Sequence, residues 1–210
     1  MKIIDRGGLV YGDGANTSAI MGHARPGDVG VDVIHINLHK TFTTPHGGGG
    51  PGSGPVCFKA PRALPAAPKV TRDESGRFFL DRRSPRVDRP RARVPEQLWH
   101  VHRAYVHPRD GRREGLKLAS ALAVLNARYL WALLKDHYAA PVHEPCMHEV
   151  ILSDSDIEKL TGVKTLDIAK RLLDYGFHAP TVYFPLVVGA LMIEPTETGR
   201  RRRSTSSPPP

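Results

Sequence analysis

The sequence is poor in cysteine: its 210 residues contain only Cys57 and Cys146. Two cysteines are too few for a disulfide framework, and neither has a partner at metal-ligand spacing. The chain also lacks an apolar run of the ~18 residues that a membrane helix needs. Its first residues lack the apolar core of a secretion signal. We therefore expect a cytoplasmic protein with no membrane partner, long enough for one or two folded domains.

Positive charge is abundant but unevenly distributed. The net charge is +9, which is typical of proteins that bind nucleic acids. Ten arginines lie within residues 82–113, together with three acids, and four more arginines lie within 200–203. Without these two segments, the 30 basic and 21 acidic residues become 16 and 18. A nucleic-acid partner is therefore a hypothesis for the two basic segments and is not favoured by the rest of the chain.

The apolar pattern predicts an α/β fold. Three strands are predicted over 7–13, 31–40 and 54–59, with a short helical segment over 14–22. Active groups of α/β sheets lie at the carboxyl ends of strands, and the first two strands end in Asp13 and Lys40. The second half predicts a small α+β domain, with helices over 114–138 and 164–177 and strands over 148–154, 181–185 and 190–195.

Lys40 stands shortly before a glycine-rich loop at 47–54. A lysine there is compatible with a surface charge, a phosphate contact or a covalent catalyst. Burial at a strand end favours a neutral amine, which can form a Schiff base with a carbonyl group. Pyridoxal phosphate is the usual partner, and its ring nitrogen needs an acid such as Asp13. Glycine in the following loop would let the backbone approach such a site closely.

Residues 12–56 resemble a known family through the segment GDGANTSAIMGHARPGDVGVDVIHINLHKTFTTPHGGGGPGSGPV. The resemblance is to glycine dehydrogenase (decarboxylating), the P-protein of the glycine cleavage system, and within it to the carboxyl-terminal half or second subunit. Residues 145–153, 165–188 and 190–198 resemble the small domain of the same family. The resemblance implies a fold-type I pyridoxal-phosphate fold, with part of the large-domain sheet in 1–60 and a small α+β domain in 114–198.

The resemblance also implies the site residues. Lys40 would be the catalytic residue that binds pyridoxal 5'-phosphate covalently, Asp13 would contact the ring nitrogen, and Asn16 would contact the ring hydroxyl. Further cofactor or phosphate contacts are expected from His39, Thr41 and Thr43. No metal is implied, and the histidines near Lys40 lack a fourth ligand at zinc spacing. Cys146 and His148 are predicted to be structural.

The implied reaction is that of an oxidoreductase. It decarboxylates glycine and passes the aminomethyl group to the lipoyl arm of the H-protein. In the family a long amino-terminal portion precedes these motifs, so we expect an N-terminal P-protein subunit to supply phosphate-binding and ring-stacking groups, and this chain to be inactive alone. A cysteine desulfurase-like enzyme is an alternative that shares Asp13 and Lys40 but not the segment TFTTPHGGGG.

Two segments depart from the family pattern: residues 61–113 predict an irregular basic linker, and 199–210 a disordered basic tail. The residues from Glu96 to His102, with the first base of the Arg103 codon, can be encoded as GAGCAACTTTGGCATGTTCATC. Translation one base later gives Ser-Asn-Phe-Gly-Met-Phe-Ile, which resembles a family motif. Codons can likewise be chosen for residues 201–208 so that a shifted frame gives a sequence that resembles the family. We therefore expect parts of these segments to be translated in a shifted reading frame.

Overall fold

The computed structural model describes residues 6–42, 44–45, 53–59, 69–81, 98–141, 146–183 and 186–199. These residues form a mixed α/β structure with three small sheets. The chain divides into two compact units. One comprises residues 1–17 and 24–112, and the other comprises residues 18–23 and 113–210.

The first unit contains a sheet in the order β1-β2-β3. Strand β1 (Tyr11–Gly14) pairs in parallel with β2 (Val33–Ile36), and β3 (Val56–Phe58) pairs antiparallel with β2. Each strand lies within or at the end of a predicted one. The prediction for 31–40 is wrong after Ile36, because the chain turns there into a short helix, α1 (Leu38–Thr41). A 3-10 turn at Pro26–Val29 lies in the connection from β1 to β2.

A β-hairpin lies where the sequence predicted an irregular linker. Strands β4 (Lys69–Arg72) and β5 (Phe78–Asp81) pair antiparallel. In their turn, Asp73 Oδ1 accepts hydrogen bonds from Ser75 Oγ at 2.6 Å and Arg77 N at 2.8 Å, and Gly76 has a φ of 85°. The irregular-linker prediction is therefore wrong for residues 69–81. Residues 60–68 and 82–97 lie outside the described residues.

Helix α2 (Leu98–Leu134) also corrects the sequence prediction, which placed its start at Glu114. The helix continues through Pro108, although proline cannot donate the backbone hydrogen bond of a helix interior. Arginine has a high helix propensity, and extending an existing helix costs far less than nucleating one. The basic segment can therefore be helical without an apolar face: between 101 and 107 Ala104 alone is buried.

The second unit packs helix α2 residues against a three-stranded antiparallel sheet in the order β6-β8-β7. The strands are β6 (Val150–Ser153), β7 (Thr181–Val182) and β8 (Ala190–Ile193). Ala127, Val150 and Leu152 are fully buried, with Trp131 and Leu134 packed against them. Each strand lies within its predicted segment, so these strand predictions are confirmed.

Two helices, α3 (Ser155–Thr161) and α4 (Thr165–Asp174), follow β6. The sequence predicted α4 and its glycine cap, and Gly176 has a φ of 77° and donates its N–H to the carbonyl of Leu173. It did not predict α3. The predicted apolar stripe of α4 is only partly correct, because Leu173 is 55% exposed whereas Ala169 is buried. Among the described residues, the helices are too short or too polar to cross a membrane.

Candidate functional site

The predicted site residues Asp13 and Lys40 lie at or beyond the carboxyl ends of two adjacent parallel strands. In the register of β1 and β2, Asp13 lies opposite His35. Because the two strands are parallel, their carboxyl ends lie at the same edge of the sheet. Asp13 is the third residue of β1, and Lys40 is reached from β2 through Asn37 and the helical turn α1. The fold therefore places a carboxylate near the end of one strand and an amine shortly after the end of its neighbour.

Asp13 is held by contacts that the sequence did not predict. Its Oδ1 accepts a hydrogen bond from the backbone N–H of Ala15 at 2.9 Å. His35 Nε2 lies 3.4 Å from the same oxygen, and Tyr11 Oη lies 2.6 Å from His35 Nδ1. The rings of Tyr11 and His35 stack with centroids 5.8 Å apart. Tyr11, His35 and Asp13 thus form a polar chain that orients a carboxylate whose side chain is 76% exposed.

The contacts among Tyr11, His35 and Asp13 are partly predictable from the alternation of side chains along a strand. Residues two apart on a strand point to the same face, so Tyr11 and Asp13 share a face of β1. The parallel register then brings His35 beside them. Sequence patterning could supply the alternation but not the register, which requires knowing that β1 and β2 are neighbours.

Gly14 allows the close approach of these two strands. It is buried, and a Cβ atom at this position would overlap the backbone carbonyl oxygen of His35 and crowd the side chain of Ile34 at 2.6 Å. Real Cβ atoms do not approach other atoms this closely. The glycine directly after Asp13 is therefore required by packing, and not only by a turn.

Thr41 ties α1 to the segment that follows β1. Its Oγ1 accepts hydrogen bonds from the backbone N–H of Thr17 at 3.0 Å and from the hydroxyl of Thr17 at 3.1 Å. Thr17 and Thr41 are both buried. Since Thr41 accepts in both bonds, its own hydroxyl hydrogen remains available to an acceptor. Asn16, the neighbour of Thr17, is half-buried and lies in the same segment.

Lys40 is exposed in the structure. Its backbone N–H donates to the carbonyl of Asn37 at 3.2 Å, which closes the helical turn. The burial of Lys40 that was expected at a strand end is therefore wrong for the described residues. The amine is instead open to a ligand or to a covering surface.

The residues at the end of the glycine loop pair with the segment that leads to Lys40. The backbone N–H of Leu38 donates to the carbonyl of Ser53 at 2.9 Å, and that of Ile36 donates to the carbonyl of Pro55 at 3.0 Å. Residues 46–52, and with them most of the glycine loop, lie outside the described residues, as does Thr43. His39, beside Lys40, is half-buried.

These residues fit part of what pyridoxal phosphate requires. An exposed amine and an exposed, oriented carboxylate lie near the carboxyl ends of adjacent strands, which would suit a covalent link and a ring-nitrogen contact. A phosphate would find near them the hydroxyl of Thr41, which Thr17 holds in place. The backbone pairing of Leu38 with Ser53 keeps Ser53 beside the same turn.

Comparison with known proteins bears on both units. Residues 119–204 match the model of a protein family described as glycine dehydrogenase, C-terminal domain. The probable glycine dehydrogenase (decarboxylating) subunit 2 of Desulforamulus reducens is 55% identical over 91% of this chain and 40% of its own length. The proteins of the same name from Thermococcus onnurineus and Pyrococcus furiosus are 51% and 52% identical over 95% and 94% of this chain. The chain spans about two-fifths of the length of these relatives.

Proposed function

Because this chain is a relative of the carboxyl-terminal part of glycine dehydrogenase (decarboxylating) subunit 2, we propose that it forms part of a pyridoxal-phosphate-dependent glycine decarboxylase. The reaction releases carbon dioxide from glycine and passes the aminomethyl group to the lipoyl arm of the H-protein. The observation that carries the proposal is the parallel pairing of β1 and β2, with Asp13 near the carboxyl end of β1 and Lys40 in the helical turn after β2. The first unit would then be part of the large domain of a fold-type I enzyme.

Each site residue has a defined task in this proposal. Pyridoxal phosphate, when bound, supplies the electron sink for decarboxylation. Lys40 binds it through the side-chain amine, and Asn16 contacts its ring hydroxyl. Asp13 holds a proton on the ring nitrogen by its negative charge. Thr41 and Thr43 donate hydroxyl hydrogens to its phosphate, with His39 beside them.

The polar chain of Tyr11 and His35 extends this assignment to two residues to which the resemblance gave no role. If Tyr11 donates its hydroxyl hydrogen to His35 Nδ1, the ring proton of His35 lies on Nε2 and faces Asp13 Oδ1. With that proton on Nε2, the imidazole would hold the carboxylate of Asp13 in place. His35 is therefore a positioning residue, which acts on the reaction through Asp13.

A second chain completes the site in this proposal. Lys40 and Asp13 are both exposed, and catalysis requires a dry site in which charge interactions are strong. The relatives are named subunit 2, which supports a partner subunit 1. We assign the ring-stacking group and further phosphate contacts to that partner. The isolated chain should therefore release little carbon dioxide from glycine.

The test combines covalent labelling with activity. The chain is purified alone and with an amino-terminal P-protein subunit, supplied with pyridoxal phosphate, reduced with borohydride and mapped by peptide mass. Label is expected on Lys40. Lys40→Ala should abolish it, whereas Lys59→Ala, which changes another exposed lysine of the same unit, should retain it. Label on another lysine with Lys40 free would contradict the assignment.

Activity is measured as labelled carbon dioxide released from carboxyl-labelled glycine in the presence of H-protein. Asp13→Asn should leave the label on Lys40 but lower the release by about 100-fold or more, because the ring nitrogen loses its counter-charge. Robust release by the isolated chain would show that no partner is needed. If Lys40 is labelled but neither the chain alone nor the chain with its partner subunit releases carbon dioxide, the cofactor site stands and the decarboxylase function is rejected.

The comparisons favour this function over the two alternatives from the sequence, a cysteine desulfurase-like enzyme and a nucleic-acid-binding protein. The shifted reading frame stays a prediction, since a helix over part of the basic segment does not determine its codons. The encoding nucleotide sequence tests it directly. Codons around Glu96 that do not yield the Ser-Asn-Phe-Gly motif in another frame would reject it.

A further inference from the structure

In the second unit, one histidine and two glutamates converge at the end of the β6–β8 ladder. Val150 of β6 lies opposite Ile193 of β8, so Glu149 and Glu194 follow as neighbours just beyond the paired strands. His148 lies in a bend two residues before Val150, the first residue of β6. Val150 and Leu152 are fully buried, and His148 is 8% exposed.

The three side chains have the spacing of ligands around one ion. His148 Nε2 lies 3.5 Å from Glu194 Oε1 and 3.8 Å from Glu149 Oε1. One ligand atom from each residue lies within 4.8 Å of the others. Zinc bonds to nitrogen and oxygen are about 2.0–2.2 Å long, so neighbouring ligands of a tetrahedral ion lie about 3.3–3.6 Å apart. Small side-chain rotations would bring all three atoms to that spacing.

The buried imidazole is an independent indication. Neither Nδ1 nor Nε2 of His148 has a hydrogen-bond partner within the part of the chain that the structure describes. Buried polar groups are almost always hydrogen-bonded or bound to an ion. The separations to the two carboxylates are too long for hydrogen bonds. Nε2 nevertheless lies within 4 Å of an oxygen of each carboxylate.

We propose that His148, Glu149 and Glu194 bind a divalent transition-metal ion, with zinc as the preferred metal. Two carboxylates and a neutral imidazole balance the charge of a divalent cation. A nitrogen ligand disfavours magnesium and calcium, which prefer oxygen. The ion would join the residues before β6 to the residue after β8 and so stabilise the second unit. This site does not depend on the proposed decarboxylase function.

The alternative is a protonated imidazole that pairs with the two carboxylates without a metal. Zinc binding to the full chain distinguishes the two possibilities. It is measured by calorimetry after treatment with a chelator, in a Cys57→Ser/Cys146→Ser background that removes both thiols. A single zinc ion per chain is expected, with magnesium giving no heat at the same concentration. Zinc should also raise the urea midpoint of unfolding, since it binds the folded state.

Variants decide whether the binding belongs to this cluster. His148→Ala should weaken zinc binding by about tenfold or more, and Glu149→Gln and Glu194→Gln should each weaken it, because each removes a ligand. His178→Ala and Glu197→Gln change exposed residues of the same types and should have no effect. The glutamine variants keep the side-chain shape and guard against misfolding of His148→Ala. No zinc binding, or equal binding by the ligand and control variants, would overturn the proposal.

Discussion

The buried contact between Asp154 and Thr165 should contribute strongly to the stability of the second unit. Thr165 Oγ1 donates a hydrogen bond of 2.6 Å to Asp154 Oδ2, and both residues are 1% exposed. The other oxygen, Oδ1, has no hydrogen-bond partner among the described residues and abuts Gly189. Thr165→Val removes the hydroxyl and nearly preserves the volume, so it would leave a buried carboxylate without a side-chain donor.

The expected loss follows from these contacts. A hydrogen bond to a charged group contributes about 1.5–3 kcal/mol, and an unsatisfied buried group costs about 1–3 kcal/mol. Thr165→Val should therefore lower the free energy of unfolding by about 2–3 kcal/mol. With a urea dependence of about 1–3 kcal/mol per M, the midpoint should fall by roughly 1 M or more.

Tryptophan fluorescence during urea unfolding can measure this loss. The chain has two tryptophans, and Trp131 packs against the core of the second unit. A Trp99→Phe background therefore restricts the signal to that unit. Thr161→Val is the matched control, because Thr161 is exposed and its hydroxyl donates to the carbonyl of Ile157 at 2.8 Å. The control should change stability by less than about 0.5 kcal/mol. Equal losses in the two variants would refute the reasoning.

Two further predictions concern a glycine and a thiol. Gly14→Ala should lower the free energy of unfolding of the first unit by about 1–3 kcal/mol, because the added Cβ would overlap the His35 carbonyl. Gly30→Ala is the control that separates this overlap from backbone strain, because Gly30 has a φ of 97° but a Cβ there meets only open space. Burial raises the pKa of the Cys146 thiol. At neutral pH iodoacetamide should therefore modify exposed Cys57 first. The rate of modification at Cys146 should keep rising with pH into the alkaline range. Equal rates at both thiols across this range would contradict the second prediction.

The local pattern predicted the elements whose side chains alternate or repeat against a core. Val150 and Leu152 in β6 and Ala169 in α4 are buried, and each element was predicted because its apolar spacing matches its period. The capping glycine Gly176 was predicted for a similar reason, since a positive φ favours glycine. These features depend on residues close together in the sequence.

Other features depend on context that a local pattern does not contain. Helix α2 extends to Leu98 although Ala104 alone is buried between 101 and 107, and Lys40 is exposed in a helical turn although it follows a strand. The hairpin of β4 and β5 had a usable signal in the turn residues Asp73 and Gly76, but the surrounding basic composition concealed it. The contact of His35 with Asp13 required the strand register.

The pairing of β1 with β2 also determines where the chain can gain or lose residues. The connection between Gly14 and Val33 runs through turns outside both strands, and lengthening a loop costs only a fraction of a kcal/mol per doubling. Insertions in the part of this connection that follows Asn16 and Thr17 should leave the site intact. A single residue inserted between Tyr11 and Asp13 would move the carboxylate to the opposite face of the sheet, whereas two would restore its face. The position of the Asp13 carboxylate therefore depends little on the length of the loop, but odd-numbered insertions within the strand would change it.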